Sequence, residues 1–492
     1  MKDNKASIAN DAVVLTTAKI VTTLIGLLSS MLLARFRTLE EYGTYSQILL
    51  VVNLAVSLFT LGLPNSMNYF LVHSETGGER KHFLSVYYTL NTVLCLAIGV
   101  VLWVCLPFLE SYFQNRNLSE FWFILSVLPW TKVMISGVSN LLVVYGKTGK
   151  LRVFNIINSL IVLAAILIVK VFELSFRAYM LFFLAGEVCM ALWVYRIIWN
   201  MEGGLTCSFD KTLTLTILQY SIPLGLSGLV GTLTIEIDKL MIGRLLDTEM
   251  LAIYTNASKE LPFSIVASSL TAVLLPQIAR KLKAKESDEA VALWGEVVEI
   301  SYMILSFAVA VLIVFAPQIM TALYTEKYIS GVGIFRIYSL VLLLRTTYFG
   351  MLLSSAAKTK LIFVSSVITL VMNIILNLLL YSVMGVEGPA LATFLSIAIA
   401  ACLQLVASAR LLHIPFRKIF PWWKLWKHTA INLAWSIPMY AIIKVLKLGV
   451  GVLDIVVAIG LIIAAFIVYA FAERKYIILV TNLLKGKKKN AD

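Results

Sequence analysis

Eight ionisable side chains stand well inside long apolar runs: Lys19, Lys132, Glu187, Asp238, Lys239, Lys259, Glu260 and Arg345. A charge at the centre of a lipid-facing helix costs about 2.5–3.5 kcal/mol. Eight such charges left bare are not tolerable, so they must pair with one another or line a water-filled cavity. Lys19, Lys132 and Arg345 form one set, each isolated in sequence from any carboxylate. Three cations at mid-span suit a multiply anionic group, and a guanidinium can bind two of its oxygens at once. The plainer alternative is that each pairs with Glu187 or a backbone carbonyl.

The second set lies in "TIEIDKLMIGR" and "YTNASKELPF", which carry Glu236, Asp238, Lys239, Lys259 and Glu260. Glu236 and Lys239 are spaced i, i+3 and so share one helix face. Ion pairs that close one side of the membrane are one role for this set. Coupling to a proton or sodium ion at Asp238 or Glu236 is a second, and simple structural pairing is a third.

The elements that position these groups follow from composition. Of 492 residues, 60% are hydrophobic and 14% charged, and the mean hydropathy is +0.89. Soluble domains run near ~45–50% apolar and ~25% charged. The chain therefore reads as an all-α integral membrane protein, with apolar runs long enough to cross a bilayer as helices. Hydropathy gives about fourteen spans, with cores near 10–34, 43–72, 83–109, 119–145, 151–173, 176–200, 213–243, 251–279, 293–323, 331–357, 361–384, 387–410, 428–446 and 449–471.

Lys and Arg concentrate in alternate loops, for example Lys147, Lys150 and Arg152, or Arg280, Lys281, Lys283 and Lys285. By the positive-inside rule these loops and both termini are cytoplasmic. The net charge of +14 then sits against anionic headgroups, ending in the polybasic "KGKKKNAD", and does not point to nucleic acid. The first apolar run is too long for a cleaved signal and lacks a small-residue cleavage site. Five scattered cysteines without CxxC or His-paired spacing indicate neither a disulfide framework nor a metal site. The aromatic-rich "FPWWKLWKH" at 420–428 reads as an interfacial belt.

The chain also repeats itself. "ARFRTLEEYGTYS" (34–46) returns as "GRLLDTEMLAIYT" (243–255), with Arg35 on Arg244, Glu40 on Glu249 and Tyr45 on Tyr254. Pro64 in "LGLPNS" falls on Pro276 in "VLLPQI", and "YGKTGKLRVFNIINSLIVL" falls on "AAKTKLIFVSSVITLVMNI". The unit is six helices, and an even number gives two halves of the same orientation. The expected organisation is 1–200 and 201–412 as two pseudo-symmetric six-helix lobes, with 413–492 as two extra helices and a basic tail. Pro64 and Pro223, the latter followed by Gly225, Gly228 and Gly231, are candidate hinges; close helix packing is the alternative.

Three stretches carry a resemblance: "LTTAKIVTTLIGLLSSMLLARFRTLEEYGTYSQI", "EIDKLMIGRLLDTEMLAIYTNASKELPF" and "AKTKLIFVSSVITLVMNIILNLLLYSVMGVEGPALATFLS". Over roughly residues 8–412 the chain resembles the polysaccharide (O-antigen and capsule repeat-unit) flippase branch of the multidrug/oligosaccharidyl-lipid/polysaccharide exporter superfamily. The resemblance implies two lobes around a central cavity. It also implies alternating access that moves a polyprenyl-(pyro)phosphate-linked oligosaccharide from the inner to the outer leaflet of a bacterial cytoplasmic membrane. Lys19, Lys132 and Arg345 are then the expected substrate-binding cations. The expected partners are the lipid-linked substrate, membrane lipids, and the polysaccharide polymerase and glycosyltransferases of the same route.

No cofactor is expected beyond a coupling proton or sodium ion, and no enzymatic activity. The connections on the outer side are short, and the four histidines (His73, His82, His413, His428) lie near the cytoplasmic face. No GxxxxGK[ST] phosphate loop is present, which argues against an ATP-driven exporter. A multidrug/cation antiporter of the same superfamily is the alternative, although it would call for acidic rather than basic mid-span charges. A lipid II flippase is the other.

Overall fold

The computed structural model describes residues 2–60, 62–474 and 476. Every regular element among them is helical, which is the simplest way to satisfy backbone hydrogen bonds in lipid. The polybasic end of the chain lies outside the described residues. The chain divides into two compact units, Met1–Thr255 and Asn256–Asp492.

The first unit contains α1 (Lys2–Phe36), α2 (Leu39–Thr60), α3 (Leu63–His73), α4 (Gly77–Val104), α5 (Leu106–Phe113), α6 (Trp122–Val144), α7 (Thr148–Val171), α8 (Phe176–Glu202), α9 (Lys211–Leu245) and most of α10 (Thr248–Ala257). Its core gathers Met67 of α3, Tyr87 of α4, Val138 of α6 and Met190 of α8. The 35-residue α9 packs along α2, α3 and α4 of this unit.

The second unit contains α11 (Ser264–Lys283), α12 (Ser287–Val314), α13 (Ala316–Tyr324), α14 (Val332–Leu344), α15 (Met351–Ser355), α16 (Thr359–Met384), α17 (Glu387–Leu412), α18 (Phe416–Ile419), α19 (Trp422–Val445) and α20 (Val452–Ala472). Trp294 of α12, Met351 of α15 and Leu405 of α17 close one core with Phe420. The last two helices pack on α12 through Met303, Trp435 and Tyr469. A charge cluster with His428, Glu299 and Glu473 buried and Lys424 exposed pins them at one end. His428 Nδ1 lies 2.6 Å from Glu473 Oε1 and Lys424 Nζ lies 2.7 Å from Glu299 Oε2.

The internal repeat is written into the backbone. Both α4 and α12 run for 28 residues and are followed by a short helix started by proline, α5 or α13. A six-residue 3-10 turn comes next in each case, Arg116–Phe121 or Glu326–Gly331. Ahead of α7 and α16, Gly146 and Ala357 are both left-handed, at φ 64° and 56°. Lys147 and Lys358 then share one conformation, φ −97°, ψ 46° and φ −95°, ψ 47°.

Among the described residues twelve helices are long and apolar enough to cross a membrane, against about fourteen expected. The two that differ have local causes. The eighth expected span, 251–279, is interrupted between α10 and α11. The thirteenth forms α19, a 24-residue helix whose His428, Asn432, Ser436 and Pro438 lower its hydropathy.

Candidate functional site

Two of the three isolated cations have carboxylate partners. Lys132 of α6 reaches Glu187 of α8, Nζ to Oε2 at 3.2 Å. The carboxylate side chain is 2% exposed and the lysine 33%, and the ammonium also lies 5.6 Å from the centre of the Phe183 ring. The pair thus joins two uninterrupted helices, the plainer alternative drawn from the sequence. Lys19 of α1 is exposed, and among the described residues of its unit it has no carboxylate partner.

Arg345 is placed differently. Helix α14 ends at Leu344, and Arg345 is its C-cap at φ −94°, ψ 8°. Residues 345–350 are non-helical before α15 begins at Met351. The second break lies at 258–263, where α10 has ended and α11 has not begun. It carries Lys259, Glu260 and Pro262. Proline has no amide hydrogen to give to a helix, so "SKELPF" cannot continue one smoothly. The breaks meet through a salt bridge. Arg345 Nε and Nη2 both donate to Glu260 Oε1, at 3.0 and 2.7 Å. These side chains are 38% and 32% exposed.

Broken helices inside a membrane leave carbonyls and amides without helical partners, and these are tolerated where they line a wet cavity. A cation just past a helix C-terminus also meets the negative end of the helix dipole. Arg345 after α14 and Lys259 after α10 both occupy such positions. Lys259 and Glu260 line a small recess with Tyr338 and Ser339 of α14.

The charges of α9 pair locally. Lys239 Nζ is 2.9 Å from Glu236 Oε2, the expected i, i+3 contact, and it also donates to the Ile235 carbonyl. Asp238 is fully buried; its carboxylate accepts from the Tyr254 hydroxyl at 2.9 Å and from the Lys239 amide at 2.7 Å. Among the described residues of its own unit Lys259 has no carboxylate partner.

The two proline sites lie close together. Pro64 follows a left-handed Gly62 (φ 73°) that separates α2 from α3. Pro223 sits inside an unbroken α9. A side chain at Gly62 would come within 2.7 Å of the Gly225 backbone nitrogen, so the break is seated directly on α9.

Two features escaped sequence reasoning. The repeated charged stretches touch each other: Gly43 is so close to the Thr248 carbonyl that a β-carbon would overlap it. Gln47 donates to Thr248 Oγ1 at 3.2 Å, and Asn115 donates to Gln47 Oε1 at 2.7 Å and to Thr44 Oγ1 at 3.0 Å. Arg244 donates to the carbonyls of Ser111 and Tyr112. The second feature is a polar ladder in α16. Thr369, Asn373 and Asn377 are buried, with Asn377 donating to Asn373 and Asn373 to Thr393 of α17. Their four-residue spacing was the available signal.

The family described as polysaccharide biosynthesis protein matches residues 8–282. No curated protein matches the chain by sequence. Among solved structures, an inward closed conformation of the lipid II flippase MurJ matches with a TM-score of 0.77 at 16% identity, covering 94% of this chain and 100% of that one. An inward-facing multidrug resistance MATE family transporter of the MOP superfamily matches at TM-score 0.64 and 14% identity, covering 82% and 98%. A mutant of the Vibrio cholerae MATE transporter VcmN matches at 0.57 and 14%, covering 83% and 97%. The fold is the one these flippases and transporters share. Since the family match spans more than half of the sequence, the chain belongs to the polysaccharide biosynthesis protein family of multi-span membrane proteins.

Proposed function

We propose that this protein is a flippase for a polyprenyl-(pyro)phosphate-linked oligosaccharide, carried from the inner to the outer leaflet by alternating access of two lobes and driven by a proton or sodium gradient. Family membership supports the polysaccharide side of this reading. The observation that carries it is Arg345, a guanidinium at a break in a membrane helix, partly open to water and bonded to Glu260, whose chain neighbour Lys259 is a second cation. Such breaks are where transporters place polar substrate groups. Arginine matches the two-oxygen geometry of a phosphate. Lys19 of α1 is an exposed cation of the first unit. Basic charge in these positions fits an anionic headgroup better than a cationic drug.

The test is transport in proteoliposomes of a fluorescent polyprenyl-pyrophosphate-linked sugar. Arg345→Gln should reduce headgroup affinity by about 1.5–3 kcal/mol, the value of a hydrogen bond to a charged group. Transport should fall with it at normal protein levels. Arg345→Lys should recover only part, because a point charge cannot reproduce the fork. Wild-type transport by both Arg345→Gln and Lys19→Gln would overturn the reading. A lipid II-type substrate is the second reading. It is favoured by the match over the full length of MurJ, where the MATE structures leave more of this chain uncovered. Competition between a lipid II analogue and a repeat-unit lipid in the same vesicles separates the two.

A further inference from the structure

The bond between Arg345 and Glu260 is incomplete in a specific way. Two guanidinium donors, Nε and Nη2, converge on the single oxygen Oε1. A fork that can serve two oxygens is serving one, although bidentate contact is the stronger arrangement. Both partners are about one-third exposed, so water can reach the pair. Both also lie on non-helical backbone, where a side chain can swing without disturbing a helix. Glu187 contrasts on every point, being 2% exposed and mounted within an intact helix.

We propose that Glu260 is an exchangeable counter-ion that occupies the headgroup site when it is empty and that an anionic headgroup must displace. The proposal rests on the headgroup reading above. In the empty protein Glu260 neutralises Arg345 and leaves Lys259 as the neighbouring positive charge. A ligand must therefore out-compete an internal carboxylate. A phosphate or pyrophosphate carries more than one charge and offers two oxygens to the fork, where Glu260 brings one charge and one oxygen. Once released, Glu260 stays at the rim of a recess that Lys259, Tyr338 and Ser339 line together with Leu261 and Leu312, about one-third open to water. Glu260 thus lowers the apparent affinity of every headgroup by the same factor, set by the fraction of time it leaves the arginine open.

The experiment titrates purified protein in lipid nanodiscs with farnesyl pyrophosphate and, separately, farnesyl monophosphate. Glu260→Gln should bind both more tightly, by about two- to fivefold, the range set by loss of a solvent-exposed ion pair. The factor should be the same for both ligands, because each displaces the same carboxylate. Glu260→Asp keeps a carboxylate on a shorter arm, and its gain should be smaller than that of Glu260→Gln. A merely structural role predicts weaker binding, the opposite sign. Unchanged or weaker binding by Glu260→Gln, with Arg345→Gln still impaired, would overturn the exchange alone. Should the glutamine variant not purify as a single species, Glu260→Ala is read by the same criterion. Unchanged binding by Arg345→Gln would overturn the headgroup reading on which the exchange depends.

Discussion

Lys132 and Arg345 stand in corresponding helices of the two copies of the repeat, 15 residues ahead of Lys147 in "YGKTGK" and 13 ahead of Lys358 in "AAKTK", and so two residues apart in register. Their surroundings have diverged. In the first unit the helix runs intact through Lys132, and its partner Glu187 is sealed at 2% exposure. In the second unit the equivalent helix stops at Leu344, and the arginine meets its carboxylate across two breaks, both partners open to water. The same helix of a duplicated unit carries a fastener in one copy and an accessible charge in the other. The comparison shows that pairing does not by itself decide whether a buried charge is structural. Burial of the partner and continuity of the backbone decide it.

The largest effect should come from breaking the fastener. Lys132→Met leaves Glu187 sealed without its cation, and stranding one member of a buried pair costs about 3–5 kcal/mol. Reversible unfolding in a denaturing detergent should show a loss of that order. Adding Glu187→Leu should recover most of it, since an apolar pair of similar volume often equals or betters a buried salt bridge. If Lys132→Met is as stable as wild type, the distinction between the two pairs fails.

A smaller effect is expected where the repeated charged stretches themselves meet. Gly43 has no room for a β-carbon against the Thr248 carbonyl. Gly43→Ala must push the start of α2 from the α9–α10 turn, an overpacking cost of about 1–3 kcal/mol. The Gln47–Thr248 hydrogen bond should lengthen with it, which hydrogen exchange at the start of α10 would register as faster opening. Unaltered exchange and stability would mean that this contact yields freely and that the two copies are not fastened there.

Much of this was readable beforehand because hydropathy and repetition are linear signals. The helical class, most of the spans and the doubled unit all follow from residue order. Partners are not linear: Glu187 and Lys132 are brought together by helix packing that no local pattern specifies. The breaks fall between these cases. "SKELPF" sets two charges and a proline in succession, and "RTTYFG" sets polar residues before a glycine. Both were signals, but long apolar flanks made the segments read as continuous spans. That placed Arg345 in mid-helix when it ends one. The polar ladder of α16 was masked in the same way, its asparagines diluted by leucine and isoleucine.

The smallest stability effect should come from the pair with the largest effect on transport. Glu260 and Arg345 are each about one-third exposed. Ion pairs with access to water contribute about 0–1 kcal/mol, because hydration replaces most of what the contact supplies. Arg345→Gln leaves Glu260 able to hydrate, with Lys259 still lining the same recess. It should therefore unfold within about 1 kcal/mol of wild type, even as headgroup binding falls. Measured side by side, Lys132→Met should lose stability first and Arg345→Gln should lose affinity first. If Arg345→Gln instead unfolds as readily as Lys132→Met, its pair is also a fastener, and the loss of transport would report a collapsed fold.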